Sequence, residues 1–418
     1  MPVIDVTERR RRLAMRHGLG PGRIGPGQPA GGTAGEAASG PALAAGRVVA
    51  LHATDPATVY LSVLARTSGP GGEPEPASRA DIDAALYDRS ELIRMLAMRR
   101  TVFVVPAGLA PVVQAAATDK VAADQRTRLL KLLAEEAGIA RPADWLAGVE
   151  KSVRSALHDL GGTATAAQLS AAEPRLKTTV TLAAGKPYEA TQAITSRVLL
   201  VLAAEGEIIR GRPLGSWLSQ QYRWTLAGDW LRTEADALGA DAARAELARR
   251  WLAAFGPAPL ADLKWWTGWT VAQVKKAAAA IGAVETELAG ETGEPAGIGA
   301  VLPGDLEPTA PAGEWAALLP ALDPTVMGWA ERSWFLGSHA STLFDTNGNA
   351  GPTVWLNGRV VGGWAQRPDG EIAVRLLEDI GADATALVEA ETARVAAWLD
   401  GDRVIPRFRT PLERELSA

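Results

Sequence analysis

Apolar side chains recur at three- and four-residue steps through Leu146, Val149, Val153, Leu157 and Leu160, the stripe of a helix buried along one face. Gly161-Gly162 stops it, and Thr165 with Gln168 forms a capping box that opens a second, short helix. The pattern then predicts a third helix over Tyr188 to Ala203 and two strands, Glu207–Arg212 and Tyr222–Thr225. Three helices followed by a β-hairpin is the order of a winged helix-turn-helix. A like order returns roughly a hundred residues on, as repeated supersecondary units do. There Ala242–Phe255 ends at Gly256-Pro257, Leu260–Trp266 is a short helix, and Thr270 with Gln273 caps a helix carrying Val271, Val274, Ala278 and Ile281. The strand Ala283–Leu288 follows.

Upstream, Thr7 to His17 predicts a short helix, and the Gly/Pro/Ala-rich stretch Gly18–Gly46 a loose linker. The apolar run from Val48 ends in His52-Ala53-Thr54-Asp55-Pro56. Asp55-Pro56 reads as the N-cap and first residue of a helix reaching Arg66, because proline supplies the helical φ and gives up only an orphan N–H. With Leu51 to Thr54 extended, His52 and Thr54 point the same way, beside the positive end of that helix. A Gly/Pro/Glu loop, Ser68 to Ser78, comes next. Asp81–Ala85 and Glu91–Met98 are expected to be helical, Thr101–Val105 a strand and Ala107–Ala137 a helix. Asp81 to Val105 reads as the tail of a third winged unit.

At the other end, Thr353 to Trp364 is a hairpin pattern turning at Asn357-Gly358. Pro368-Asp-Gly370 turns the chain into Glu371–Leu377, and a helix from Ala382 to Leu399 closes this small antiparallel unit. The expected fold class is α+β, mostly α: tandem winged helix-turn-helix units plus a small C-terminal antiparallel β unit. The divisions are 1–46 (helix and linker), 47–137 (a partial winged-helix region), 138–232 and 233–300 (winged helices), and 301–418 (β unit and helix).

The 418 residues are 47% hydrophobic, enough for several cores, and contain no cysteine, which excludes disulfides and thiolate metal sites. The four histidines (His17, His52, His158, His339) are scattered without ligand spacing, so no metal is expected. No apolar run reaches the roughly 20 residues that span a bilayer. Arg9 to Arg12 lack a following apolar stretch, so no signal peptide is read there. These features fit a cytoplasmic protein. A net charge of −5 argues against a globally basic nucleic-acid binder, leaving only a local basic face.

Six stretches, in order, carry a family resemblance. They are Leu51-His-Ala-Thr-Asp-Pro with Ala65-Arg66; Ala97-Met-Arg-Arg-Thr-Val-Phe103; Ala253-Ala-Phe-Gly-Pro-Ala258; Asp262 to Trp269; Leu319-Pro-Ala-Leu-Asp323 with Arg332; and Gly358-Arg-Val-Val-Gly-Gly-Trp364. From about Arg10 to Leu377 the chain resembles the winged-helix DNA glycosylases of the AlkZ/YcaQ type. The resemblance implies tandem winged helices around double-stranded DNA, alkylated or crosslinked. It also implies hydrolysis of the N-glycosidic bond of bulky N7-alkylated purines; the chain itself is expected to act as a monomer without cofactors. In that family a Gln-x-Gln or Gln-x-Asp pair places the attacking water. Those positions fall here on His52 and Thr54, and the histidine of the family's Met-Arg-Gly-Thr-Leu-His falls on Phe103.

An N7-alkylpurine is cationic and leaves without a general acid, so the site need only orient water and tolerate an oxocarbenium-like sugar. His52, if neutral, can take a proton from water, Thr54 can hold that water, and Asp55 is the nearest carboxylate. The plainer reading of Asp55 is an N-cap. Candidate phosphate contacts are the pair Arg99-Arg100, Arg210, Arg212 and Arg223 in the first expected wing, Lys275 and Lys276 on the helix opened by Thr270, and Arg332. Trp265, Trp266, Trp269 and Trp364 are read as core before stacking platforms, and Asn347-Gly-Asn349 near His339 as a loop. The rival is a non-catalytic winged-helix DNA-binding protein, a regulator or damage-binding module, that has lost the glutamines.

Overall fold

The computed structural model describes residues 1–25, 38–68, 76–182, 185–186, 189–228, 230–311 and 313–418. The chain is mostly helical with small sheets, an α+β architecture, and divides into two compact units. One combines Met1–Leu92, Phe103–Gly108 and Arg244–Ala418; the other combines Ile93–Val102 and Leu109–Ala243.

In the second of these, the apolar stripe forms the helix Pro142–Asp159, with Leu146, Val149, Val153 and Leu157 buried; Leu160, just past it, is exposed. Gly161 and Gly162 follow at φ 81° and 83°, a conformation that glycine adopts without steric cost. A strand, Thr163–Thr165, precedes the capping box of Thr165 and Gln168, which opens the helix Ala166–Ala172. The helix expected over Tyr188–Ala203 is shorter, Thr195–Ala204. Ahead of it the antiparallel strands Thr179–Leu182 and Ala190–Ala193 pair, while Tyr188 itself lies outside the described residues. Ile208–Pro213 and Tyr222–Leu226 complete a three-stranded sheet in which Tyr222–Leu226 is central. Val198, Leu202, Ile208 and Trp224 close its core against the Pro142–Asp159 helix.

Glu91–Met98, expected to be helical, is instead the strand Leu92–Leu96. All five of its residues are buried, so it lacks the apolar–polar alternation that identifies a half-buried strand.

In the other unit, Asp5 caps the helix Val6–Arg16 by accepting the Glu8 N–H at 2.8 Å. The expected linker is structured on both sides of 26–37, which lie outside the described residues. Leu19 and Ile24 are buried, and Gly40–Arg47 is a helix capped by Ser39. The helix Pro56–Arg66 has the expected limits and buries all eleven residues. The helices Ala240–Phe255, Leu260–Thr267 and Val271–Ala280 lead into strands Val284–Ala289 and Pro295–Val301, with the capping box of Thr270 and Gln273 in place. The N-terminal strand Val3–Asp5 adds to this sheet in parallel. The C-terminal sheet has four antiparallel strands in sequential order: Ala316–Leu319, Thr353–Leu356, Arg359–Gln366 and Ile372–Leu376. The helices Ala382–Leu399 and Pro411–Leu416 pack on it.

Candidate active site

The strand that carries His52 is only Leu51–His52, paired antiparallel through Leu51 with Val104 and His52 with Phe103. A γ-turn centred on Val49 aims it: the Ala50 N–H donates to the Val48 carbonyl at 2.7 Å, and Val49 has φ 67°. A buried β-branched residue in that region costs on the order of 1–3 kcal/mol, strain of a kind that gathers at functional sites. Register places His52 opposite Phe103, and the two rings meet edge to face at 5.4 Å. His52 and Thr54 are half-buried, whereas Ala53 between them is buried.

Asp55 is buried and both of its oxygens accept backbone N–H groups. Oδ1 takes Ala57 at 3.1 Å, the N-cap bond, and Oδ2 takes Arg407 at 2.9 Å. Burial raises the Asp55 pKa against the opposing pull of those two bonds. Its geometry is that of a cap which also ties down a distant segment.

Behind His52, Phe103 leads to Trp266 at 6.3 Å, and Trp266 to Phe255 at 6.3 Å. Trp266, Trp269 and Trp364 are buried, and the Trp364 indole donates to the Leu319 carbonyl, so these three are core. Trp265 is half-buried. The Arg332 guanidinium lies between its ring, at 5.0 Å, and that of Phe344, at 4.9 Å. Lys275 and Lys276 are exposed on the helix Val271–Ala280. Asn347-Gly-Asn349 is a tight turn around Asp345, which accepts the N–H groups of Asn347 and Asn349.

The remaining candidates belong to the other unit. Arg99 and Arg100 are exposed at a two-residue turn, closed by the Thr101 N–H donating to the Met98 carbonyl at 3.0 Å. Arg210 is half-buried over the rings of Tyr222 and Trp224, at 5.8 and 5.6 Å. Arg212 is exposed, and Arg223 half-buried opposite Thr165.

The family model of the AlkZ-like DNA glycosylases matches residues 45–398. The chain belongs to the AlkZ-like DNA glycosylase family. The solved structure of Streptomyces sahachiroi DNA glycosylase AlkZ resembles it with a TM-score of 0.68 at 20% identity, over 97% of this chain and 99% of that one. At that identity the likeness is one of fold. No curated protein sequence matches. Among the described residues, no group of three or more His, Asp or Glu is placed to hold a metal ion, and no helix is long and apolar enough to cross a membrane.

Several stretches that give this AlkZ-like chain its family resemblance meet as buried structure. Arg66 pairs with Asp323, and the Asp262 carboxylate accepts the N–H groups of Ala330 and Glu331 at 3.0 and 3.1 Å, just ahead of Arg332. Sequence reasoning missed the segment after the family match. Arg403, Arg407, Arg409 and Arg414 interleave with Phe408 there, a basic-aromatic signal that was available to be read. Arg407 reaches the site twice. Its backbone N–H donates to Asp55, and its Nη1 donates to the Thr54 carbonyl at 3.4 Å.

Proposed function

We propose that this AlkZ-like protein is a monofunctional DNA glycosylase that hydrolyses the N-glycosidic bond of N7-alkylated purines in duplex DNA, bulky or crosslinked ones included. The observation that carries the reading is half-buried His52, on a two-residue strand that follows strained backbone, with half-buried Thr54 just ahead of a fully buried helix. A catalytic group is worth such strain only when its aim matters.

In this reading the Thr54 hydroxyl holds a water, and its oxygen attacks the sugar C1′. The C1′–N9 bond breaks, and its electron pair neutralises the cationic base, which departs without needing a proton. His52 accepts the proton lost by the water. Because Nδ1 is shielded from solvent, that task falls to Nε2. The products are the free alkylpurine and an abasic sugar. Asp55 holds the turn by its two backbone bonds and lends negative charge near the sugar. A lesion too bulky to flip out of the stack requires the site to work within the groove.

DNA binding follows from the family. The three-helix, β-hairpin units are read as winged helices, with Arg212, Lys275, Lys276 and the Arg99-Arg100 turn as backbone contacts, Arg210 and Arg223 supporting the wing, and Arg332 held as a stacked cation beside Trp265. The protein is taken to act as a cytoplasmic monomer.

One observation favours the rival, a non-catalytic DNA-binding protein: Phe103 stands opposite His52, where the family's histidine falls. Incubation with duplex carrying N7-methylguanine separates the two readings. Release of the free base with alkali-labile strand breaks supports the glycosylase; intact strands with binding retained support the rival.

A further inference from the structure

Tyr222 opens the strand Tyr222–Leu226 of the hairpin read as a wing, in the unit that combines Ile93–Val102 and Leu109–Ala243. The facing strand carries one extra residue between the pairs Arg210–Trp224 and Pro213–Tyr222, so the ladder bulges there. Bulges re-aim side chains, and beside this one the Arg210 guanidinium lies over the Tyr222 and Trp224 rings. Arg94, on the strand Leu92–Leu96, reaches the same phenol. Its Nη1 donates to the Tyr222 hydroxyl oxygen at 2.6 Å, and its guanidinium carbon lies 4.7 Å from the ring centroid.

A guanidinium is seldom buried in this way. Arg94 is only 3% exposed, yet no described carboxylate lies within ion-pair distance of it, and its Nε has no hydrogen-bond partner among the described residues. Such a cation is costly to keep without a counter-charge. The phenol is as one-sided. Its oxygen accepts from Arg94, while its own O–H meets no acceptor among the described residues and its side chain is half-buried. A hydroxyl that accepts from a cation becomes a stronger donor, because linked hydrogen bonds polarise one another.

We propose that the Tyr222 hydroxyl donates to a phosphodiester oxygen of DNA, with Arg94 as the positioning residue that orients and polarises it. This rests on the reading of the hairpin as a DNA-binding wing. Tyrosine is among the side chains that bond phosphate oxygens, and the two cations against this ring favour an acceptor that carries negative charge. Arg94 is too deep to meet the phosphate itself. It acts through the phenol, and a bound strand sets negative charge one hydrogen bond beyond it.

The test is binding of the full-length protein to a fluorescent undamaged duplex, by anisotropy across a series of KCl concentrations. Wild type is compared with Tyr222→Phe, Arg94→Met and Arg94→Met/Tyr222→Phe, with thermal unfolding followed for each. Tyr222→Phe should weaken binding on the order of 10-fold, the loss of one bond to a charged acceptor. The slope of log K against log salt should stay unchanged, because no charge at the phosphate is removed. Arg94→Met should weaken binding when Tyr222 is present and change it less than about 2-fold in the Tyr222→Phe background, the coupling expected of a residue that acts through another. Wild-type affinity in Tyr222→Phe overturns the contact and leaves the glycosylase reading standing. Equal losses from Arg94→Met in both backgrounds overturn the positioning role. If Tyr222→Phe does not fold, with Arg94 left buried beside no hydroxyl, the contact is read from Arg94→Met against the double variant, and equal affinities there overturn it. A wild-type protein that binds no duplex at all overturns the DNA-binding wing as well.

Discussion

Arg66 and Asp323 form a bidentate ion pair with neither side chain exposed: Nη1 donates to Oδ2 at 2.8 Å and Nη2 to Oδ1 at 2.7 Å. Further hydrogen bonds surround the pair, while the buried Arg66 Nε has no hydrogen-bond partner among the described residues. Arg66 also donates to the Ser62 carbonyl and the Thr325 hydroxyl, and the Ser62 hydroxyl donates to Asp323 at 2.6 Å. Burial acts to raise the Asp323 pKa, yet the Arg66 charge and these hydrogen bonds hold it below the usual carboxylate range. Removing one partner strands a buried charge. Arg66→Met is expected to cost about 3–5 kcal/mol in urea unfolding, and Arg66→Met/Asp323→Leu to recover most of that loss.

The same network includes His17, fully buried, with Nε2 facing the Ala254 carbonyl at 3.1 Å and Nδ1 facing the Thr325 hydroxyl at 3.0 Å. The carbonyl requires the proton on Nε2, so Thr325 donates to Nδ1. Desolvation, aided by the nearby Arg66 charge, lowers the His17 pKa from 6.5 to about 3. The unfolded chain therefore takes up a proton between those values that the folded one refuses, and stability falls as pH drops through that window. The limiting slope is about 1.4 kcal/mol per pH unit. Thermal unfolding from pH 7 to pH 4 should show a steeper loss in wild type than in His17→Gln; parallel curves would contradict this assignment.

Two turns of the same kind separate structure from function. Asn357 and Gly358 have φ 50° and 85°, and these residue types tolerate that region. Arg99 and Arg100 have φ 52° and 61°, with no such tolerance. Strain of on the order of 1 kcal/mol per residue is stored at these two exposed cations. Arg100→Gly should therefore raise stability by about 1 kcal/mol while weakening duplex binding. Higher stability with unchanged affinity would assign the pair no part in binding DNA.

What was legible in the sequence was local. Asp55-Pro56 and the capping boxes at Thr165 and Thr270 mark helix starts by chemistry within four residues, and all three stand where expected. The strand Leu92–Leu96 was misread because burial on both faces erases its period. Val3–Asp5 is three residues whose partner strand starts at Val284, and nothing local marks such a pairing. The Gly40–Arg47 helix hides in Gly/Ala/Pro composition, its stability coming from packing rather than propensity. At the site, Asp55 as a cap could be read, but its bond to Arg407, 352 residues away, could not.

Whether His52 and Thr54 activate water is measured by release of N7-methylguanine from duplex DNA by wild type, His52→Ala and Thr54→Ala, with binding to the same duplex followed in parallel. Wild type is expected to release the base and leave alkali-labile breaks, with a loss of about 100-fold or more in His52→Ala with binding retained, and a smaller loss in Thr54→Ala. Undiminished release by His52→Ala would contradict that role for His52.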